Sequence, residues 1–238
     1  MDIKGKRALV IGGTSGIGLA AAKMLCDKEA EVIVMSRSEK NHAAAKEVLG
    51  DNASIRTLDV LDRETMAALF AELAPFDILV NAATGGERAT GPFMEMDLDG
   101  FTGSFRKLWG YVNSVRLAGE HLTENGCIVL VSGSPARKCQ PGMSAISTVG
   151  NAVEGFSRAI AAEIAPKRLN VVSPGTIDTP MFPVEGDARV AFLERAGASA
   201  LLKRVGTSEE VAAGILFTIE NDYVTGTTID VDGGALLP

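Results

Sequence analysis

The stretch of sequence that decides the fold is Gly12-Gly13-Thr14-Ser15-Gly16-Ile17-Gly18. It follows a short apolar segment, residues 7–11, and leads into residues 17–28, where apolar residues recur at helical spacing. Glycines allow a tight turn that brings the backbone close to a ligand, and free N–H groups at the start of a helix attract anions. The pattern therefore predicts a site for the paired phosphates of a dinucleotide, formed by Gly12, Thr14, Ser15, Gly16, Ile17 and Gly18.

Short apolar segments alternate with longer amphipathic ones along the whole chain. The predicted strands cover residues 7–11, 31–36, 54–58, 77–81, 127–132, 169–173 and 228–231. The predicted helices cover residues 17–28, 40–49, 63–73, 100–122, 145–165 and 208–220, and Thr207 followed by Glu210 predicts a capping box before the last of them. This alternation predicts the α/β class, with a single doubly wound Rossmann-type domain over residues 1–238 and a mainly parallel seven-stranded sheet flanked by helices.

One long connection interrupts this alternation. Residues 175–203 show little periodicity, contain Pro180 and Pro183, and exceed the usual length of a loop between elements. Long connections of this kind often cover an active site, so we predict a substrate flap here.

Composition narrows the range of partners. The 238 residues carry 23 lysines and arginines against 30 aspartates and glutamates, a net charge of −7, which argues against nucleic acid and anionic membranes and leaves a small-molecule substrate. Three widely spaced cysteines indicate neither a disulfide framework nor a metal site. No apolar segment approaches the ~20 residues of a membrane span, so we expect a cytoplasmic protein.

Five segments in order resemble the short-chain dehydrogenase/reductase family. They are the glycine loop, Asp59-Val60, Asn81-Ala82-Ala83-Thr84, Pro174-Gly175-Thr176-Ile177-Asp178-Thr179 and residues 224–234. The resemblance implies that Asp59 and Val60 contact the adenine of a nicotinamide dinucleotide. It also implies cofactor-binding roles for Asn81, Ala82, Ala83, Pro174, Gly175, Ile177 and Thr179, with Thr179 facing the nicotinamide amide. The family's shared helical surfaces further imply a homotetramer or homodimer.

The residues after the second predicted strand bear on which dinucleotide binds. A carboxylate at this place accepts hydrogen bonds from the ribose 2′-hydroxyl and repels a 2′-phosphate. The chain instead has Ser36, Arg37 and Ser38, with no carboxylate before Glu39. Because Arg37 can bind a phosphate through charge-assisted hydrogen bonds, we predict that NADP(H) is preferred over NAD(H).

The family's usual acid is missing from this sequence. The resemblance implies a Tyr four residues before a Lys, and the register places Ile146 and Gly150 at these two positions. No shift of the register restores the pair, because the only tyrosines are Tyr111 and Tyr223 and no lysine lies between Lys138 and Lys167. We therefore predict a short-chain dehydrogenase/reductase with an atypical active site.

Three residues are the remaining catalytic candidates. Ser132 takes the place of the family's serine, and Ser134 is its alternative because the loop length is uncertain. Lys107 aligns with the family's helical Asn, from which a cation can stabilise developing negative charge or deliver a proton. Arg137 and Lys138 are weaker candidates of the same kind, and Tyr111 and Trp109 are expected to pack within their helix.

Three functions follow from these residues. The first is an NADP(H)-dependent oxidoreductase that transfers a hydride to a carbonyl or imine of a small apolar substrate. The second is a catalytically silent NADP(H)-binding module that regulates a partner, and the third is a non-redox enzyme that reuses the pocket. The first is preferred because removing a general acid slows a reaction only by about 10²- to 10⁴-fold.

Overall fold

The computed structural model describes residues 1–84, 86 and 88–238. Seven strands form one sheet, and eight helices occur in the described chain. The strands are β1 Arg7–Ile11, β2 Glu31–Ser36, β3 Ala53–Thr57, β4 Phe76–Asn81, β5 Leu122–Val131, β6 Arg168–Pro174 and β7 Thr228–Val231. The helices are α1 Gly16–Asp27, α2 His42–Leu49, α3 Arg63–Glu72, α4 Leu98–Ser104, α5 Arg106–Ala118, α6 Ser144–Glu163, α7 Gly186–Gly197 and α8 Ser208–Glu220.

The strand order is β3-β2-β1-β4-β5-β6-β7, and every neighbouring pair is parallel. The order reverses beside β1, where Leu9 pairs with Ile33 of β2 on one side and with Leu79 of β4 on the other. Ligands of doubly wound folds bind beyond the carboxyl ends of the strands at such a reversal. The predicted fold class is confirmed, and the sheet is parallel throughout.

Both faces of the sheet are buried, which explains why its strands are continuous apolar segments. Val10 and Val34 belong to the core layer that includes residues of α1 and α8. Leu9 and Leu79 belong to the opposite layer, which includes residues of α3 and α5. A two-sided core of this kind holds the carboxyl ends of the central strands in fixed positions.

Two predicted boundaries were wrong. The single helix predicted over residues 100–122 is divided into α4 and α5 at Phe105, and Leu122 opens β5, where it pairs with Phe76. Ser104 explains the division, because its hydroxyl donates to the carbonyl of Gly100 at 3.0 Å and accepts from the N–H of Ala89 at 2.9 Å. The apolar spacing continues across the division, so periodicity alone did not reveal it.

The predicted flap contains a helix that the sequence analysis missed. Helix α7, Gly186–Gly197, lies within residues 175–203, and Pro174 is the last residue of β6. Only Gly197 of α7 is buried, so the helix has almost no apolar stripe from which to predict it. Across the described residues, no helix combines the length and apolar character needed to cross a membrane.

Candidate active site

A cleft of about 960 Å³ lies beyond the carboxyl ends of the central strands. Nearly all of the predicted site residues line it: Gly12, Thr14, Ser15, Gly16, Ile17, Gly18, Ser36, Arg37, Ser38, Asp59, Val60, Ala82, Ala83, Lys107, Ser132, Ser134, Pro174, Gly175, Ile177 and Thr179. The structure thus brings together residues that are spread over most of the sequence.

Asn81 is the exception. It is fully buried, its side-chain amide donates to the Ser114 hydroxyl at 2.9 Å, and its carbonyl oxygen accepts the N–H of Ala83 at 3.1 Å. The resemblance implies a cofactor-binding role for Asn81, and in this structure its side chain bonds within the protein. Asn81 is thus bonded to the backbone of Ala83, which itself lines the cleft.

Two glycines of the loop, Gly12 and Gly18, are packed so tightly that a side chain would have no room. A Cβ atom at Gly18 would lie 2.2 Å from the carbonyl oxygen of Gly12, and one at Gly12 would lie 2.7 Å from the backbone nitrogen of Ala83. Gly12 also has a positive φ of 77°. This close packing brings the loop backbone directly against the loop that follows β4.

The amino end of α1 can bind an anion. Ser15 makes no side-chain capping hydrogen bond, and the first turn contains no acidic residue. The N–H groups of this turn are therefore not neutralised by a carboxylate or cap of the helix itself, and the helix dipole adds partial positive charge. Together with the glycine cradle, this end of the cleft fits the pyrophosphate of a dinucleotide.

A second part of the cleft lies at the end of β2. Arg37 is exposed there, and Glu39, the nearest following carboxylate, accepts a hydrogen bond from Thr57 at 3.2 Å. Ser36 is 3.0 Å from Nε2 of His42, a residue that the sequence analysis did not consider. The end of β2 therefore presents the guanidinium of Arg37 beside serine hydroxyls, while the Glu39 carboxylate is bonded to Thr57 of β3.

The Asp59-Val60 segment is fixed by α5. A Cβ atom at Gly110 would lie 2.6 Å from Cγ2 of Val60, and the side-chain amide of Asn113 donates to the carbonyl oxygen of Val60 at 3.0 Å. Asp59 accepts the N–H of Leu61 at 2.9 Å. Gly110 is thus required for close packing between α5 and the loop after β3.

Lys107 lies at the opposite end of the cleft. Its ammonium group donates to the carbonyl oxygen of Ser132 at 3.3 Å and lies 5.6 Å from the centre of the Tyr111 ring. Burial, and then the positive charge of Arg88, lower the pKa of Lys107 to about 8. A lysine with this pKa can release a proton near neutral pH, unlike an ordinary surface lysine.

Ser132 and helix α6 form the wall beside Lys107. The Ser132 hydroxyl donates to the carbonyl oxygen of Gly150 at 3.4 Å, and Ile146 lines the cleft one turn before Gly150. A Cβ atom at Gly150 would lie 2.8 Å from Cβ of Ala136. The backbone of α6 therefore packs against the turn Ser134–Ala136 at a distance that leaves no space for a side chain at residue 150.

The side chains of Arg137 and Lys138 lie outside the cleft. Arg137 forms ion pairs with Asp230 and with the buried Glu154, whose Oε1 lies 3.3 Å from Nε of the arginine. Lys138 donates to the carbonyl oxygen of Ala235. Neither residue lines the cleft, which leaves Lys107 as the cation beside Ser132.

The two aromatic residues of α5, Tyr111 and Trp109, differ in how far they are buried. The Tyr111 side chain is buried and its hydroxyl donates to the carbonyl oxygen of Val131 at 2.8 Å, as expected for a packing residue. Burial raises the pKa of Tyr111 far above its ordinary value, so the hydroxyl stays neutral. The packing role expected for Trp109 was wrong, because 59% of this residue is exposed.

Residues of the segment 175–203 line part of the cleft. A Cβ atom at Gly16 would lie 3.4 Å from Cγ2 of Thr179, so the start of the segment lies against the glycine loop. Arg189 of α7 donates to the carbonyl oxygens of Phe182 at 2.9 Å and Val184 at 3.1 Å and pairs with Asp178. Arg189 thus ties α7 to the loop that precedes it.

Several residues of the cleft were missed by sequence analysis. Arg88 lies in a part of the sequence that offered no motif, and four others belong to the segment with weak periodicity. These are Met181, Phe182, Phe192 and Arg195. The proline-rich composition indicated that this segment approaches the site, but only the fold shows which side chains face it.

Comparison with known proteins gives consistent matches over the full chain. A family model described as enoyl-(acyl carrier protein) reductase matches residues 12–235. The 3-oxoacyl-(acyl-carrier-protein) reductase FabG of Haemophilus influenzae is 32% identical, over 99% of this chain and 100% of its own.

Two solved structures are also similar. One is a small-chain dehydrogenase in complex with NADPH, with 30% identity, a TM-score of 0.83 and coverage of 99% of this chain and 100% of the other. The second is MalC reductase/Diels-Alderase from Malbranchea aurantiaca, with 25% identity, a TM-score of 0.89 and coverage of 99% and 97%.

Proposed function

We propose a function from the premise that this chain belongs to the short-chain dehydrogenase/reductase family and is an oxidoreductase of that type. We propose that it uses NADP(H) in preference to NAD(H) and reduces a carbonyl or imine of a small apolar substrate. We further propose that it lacks the family's Tyr and Lys and uses Lys107 as the proton donor. The observation that carries the proposal is the contact between Lys107 and Ser132 in the cleft that also contains the glycine cradle.

The cofactor would lie along the cleft from Arg37 to Thr179. Its pyrophosphate would be held by the glycine loop and the start of α1, and its 2′-phosphate by Arg37 with Ser36 and Ser38. The NADPH complex of a similar structure supports a nicotinamide cofactor of this kind. When bound, NADPH supplies the hydride.

The protein's own groups act on the substrate oxygen. Lys107 holds a proton at Nζ, and the backbone of Ser132 orients that group. As negative charge develops on the carbonyl oxygen, the ammonium group stabilises it and transfers its proton, which completes an alcohol. The neutral amine left on Lys107 then takes a proton from solvent. An iminium substrate requires only the hydride, so Lys107 donates no proton in that case.

A second candidate function, a cyclisation without hydride transfer, is favoured by the composition of the cleft wall. The cleft wall formed by Ile146 and Gly150 offers no ionisable group, and one of the similar structures is titled a reductase/Diels-Alderase. We therefore keep a cyclisation that uses only the shape of the cleft as an alternative. It forms product without any change in NADPH absorbance.

Assembly and location are also part of the proposal. Phe93, Met94, Leu98 and Trp109 expose large apolar surfaces around α4 and α5. A second copy of the chain would cover them, so we propose a homodimer or homotetramer, which sedimentation at micromolar concentration tests. All three cysteines are free, which agrees with a reducing cytoplasm.

Equilibrium titration and turnover test the central proposal. Titration with NADPH and NADH is expected to show tighter binding of NADPH. A panel of ketones, aldehydes and iminium ions is then expected to oxidise bound NADPH. Binding without oxidation by any member of the panel would favour the silent regulatory module, and binding of neither dinucleotide would refute the proposal.

A further inference from the structure

Among the residues that the structure describes, the substrate end of the cleft carries positive charge without a matching negative one. Among the described residues that line the whole cleft, the charged ones are Arg37, Asp59, Arg88, Lys107 and Arg195. The single carboxylate, Asp59, lies in the loop after β3 and accepts the N–H of Leu61, toward the adenine end. The other end therefore combines three cations.

Arg88 and Arg195 are the cations that the proposed reaction does not use, and Arg88 is the one whose charge acts on Lys107. The Arg88 guanidinium contacts the sulfur of Met181 at 2.8 Å, so it reaches from the loop after β4 to the segment 175–203. Arg88 lines the cleft, where partial desolvation lowers its pKa, and no described carboxylate opposes this shift. Part of the hydration of this guanidinium is thus lost, and no carboxylate among the described residues replaces it.

Lys107 and Arg88 also affect each other. The charge of Arg88 is the second cause, after burial, of the lowered pKa of Lys107, and no described carboxylate offsets it. Two cations close enough to repel each other raise the energy of the empty cleft. An anion bound near both of them removes this repulsion, so the arrangement favours a ligand that brings its own negative charge.

The rest of this end is apolar. Met143 and Ile146 line it from the side of α6, and Phe182 and Phe192 line it from the segment 175–203, where their ring centroids are 4.9 Å apart. These side chains suit an aromatic or branched hydrocarbon group. A ligand that matches this end thus combines an apolar body with an anionic group.

We propose that the substrate is an oxo acid with an aromatic or branched body, whose carboxylate binds Arg88 while its carbonyl oxygen faces Lys107 and Ser132. This inference rests on the proposed carbonyl reduction at that same site, and it replaces the wholly apolar substrate of that proposal with one whose apolar body carries a carboxylate. Arginine suits this role because its planar guanidinium binds a carboxylate through two parallel hydrogen bonds.

Binding without chemistry is the first test. We would titrate 4-phenylbutanoate and 4-phenylbutanamide calorimetrically into the protein saturated with NADP⁺. The acid is expected to bind at least tenfold more tightly than the amide. In Arg88→Met the affinity for the acid falls by about 10- to 100-fold and that for the amide is unchanged, because the lost contact is a charge-assisted one. Arg88→Lys recovers part of the affinity.

Turnover is the second test, with 2-oxo-4-phenylbutanoate and its ethyl ester as substrates. In Arg88→Met, KM for the acid is expected to rise by about 10- to 100-fold and KM for the ester to stay constant. Arg106→Met, which removes an exposed arginine outside the cleft, is the matched control and is expected to leave both values unchanged.

The outcomes separate the two proposals. If the ester is reduced as well as the acid and Arg88→Met affects neither, the carboxylate site is refuted and the reductase stands. If 4-phenylbutanoate binds through Arg88 but no carbonyl compound oxidises NADPH, the carboxylate site stands and the reductase is refuted. Circular dichroism of Arg88→Met and Arg88→Lys establishes that both variants are folded.

Discussion

The two ends of the cleft contrast in how tightly their backbones and side chains are constrained. At the end formed by the glycine loop, a Cβ at Gly18 or Gly12 would collide with backbone atoms. At the other end, the Lys107 side chain contacts the carbonyl oxygen of Ser132, and Ile146 lines the cleft where the resemblance implies a tyrosine. The first end is defined mainly by backbone shape, and the second mainly by the side chains that face the cleft.

This contrast separates binding from chemistry. A backbone cradle recognises the phosphates that every nicotinamide dinucleotide carries, so few of its residues can change without loss of binding. The proton donor needs only an acidic group within reach of the substrate oxygen, so a lysine on α5 can serve in place of a tyrosine on α6. A reductase of this fold can therefore keep one end of its cleft and rebuild the other.

The largest effect is expected from Gly18→Ala. The new methyl group would lie 2.2 Å from the carbonyl oxygen of Gly12, and the loop must move to admit it. NADPH affinity is expected to fall more than ~100-fold because the N–H groups that face the phosphates move with the loop. Calorimetric titration measures this loss.

Gly155→Ala is the matched control for Gly18→Ala. Gly155 also lies in a helix, α6, but a Cβ there meets nothing within 4 Å. NADPH affinity is expected to stay constant, and the free energy of unfolding to rise by about 0.5–1 kcal/mol because alanine favours the helix. Equal effects of the two substitutions on affinity would contradict the tightly packed cradle.

The second-largest effect is expected from Lys107→Met. The rate of ketone reduction is expected to fall by about 10²- to 10⁴-fold while NADPH affinity stays constant, because only the proton donor is lost. Reduction of an iminium substrate requires no proton and is expected to be affected much less. Single-turnover oxidation of NADPH, followed by absorbance, measures both reactions.

The pH dependence of ketone reduction sharpens this test. Only the protonated form of Lys107 can donate, and its pKa is lowered to about 8. The rate is therefore expected to be constant below this pH and to fall as the pH rises through it. In Lys107→Arg the guanidinium keeps its charge but releases its proton poorly, because its pKa exceeds ~12. Full activity of Lys107→Arg at all pH values would show that the charge, and not the proton, is required.

The third-largest effect is expected from Arg37→Asp, which changes the affinity for the two dinucleotides at the cofactor end of the cleft. NADPH affinity is expected to fall by about 10- to 100-fold and NADH affinity to rise, because a carboxylate repels the 2′-phosphate and accepts from the 2′-hydroxyl. Arg63→Asp, an exposed substitution in the first turn of α3, is the control with the same change of charge. An Arg37→Asp variant that binds NADPH as tightly as before would rule out this phosphate contact.

The sequence predicted the cofactor end better than the substrate end for a physical reason. Glycines at fixed spacing between a strand and a helix report a local backbone shape, which needs no knowledge of distant residues. The cleft contact between Lys107 and Ser132 instead joins two residues of different elements, and Arg88 and Phe192 enter from loops and from a helix without an apolar stripe. Periodicity also missed the division at Phe105, because the apolar spacing continues across it.

The smallest effect on rate is expected from restoring the family's pair of residues. The double variant Ile146→Tyr/Gly150→Lys is expected to reduce ketones no faster than the natural protein. Ile146 faces the cleft and can be replaced, but a Cβ at residue 150 would lie 2.8 Å from Cβ of Ala136. Gly150→Ala alone is expected to lower the free energy of unfolding by about 1–3 kcal/mol, as measured by urea denaturation, because α6 must move away from the neighbouring turn.

Ala136→Gly distinguishes a steric cause from a chemical one. Removing the Ala136 methyl group takes away the closest of the contacts at residue 150, so adding Ala136→Gly to Gly150→Ala is expected to restore part of the lost stability. If Ile146→Tyr/Gly150→Lys were stable and reduced ketones faster than the natural protein, the prediction would be wrong. The difference between this chain and a tyrosine-dependent reductase would then lie in two side chains alone. Because the Gly150 backbone lies so close to the turn Ser134–Ala136, we expect the difference to extend to the packing of α6 itself.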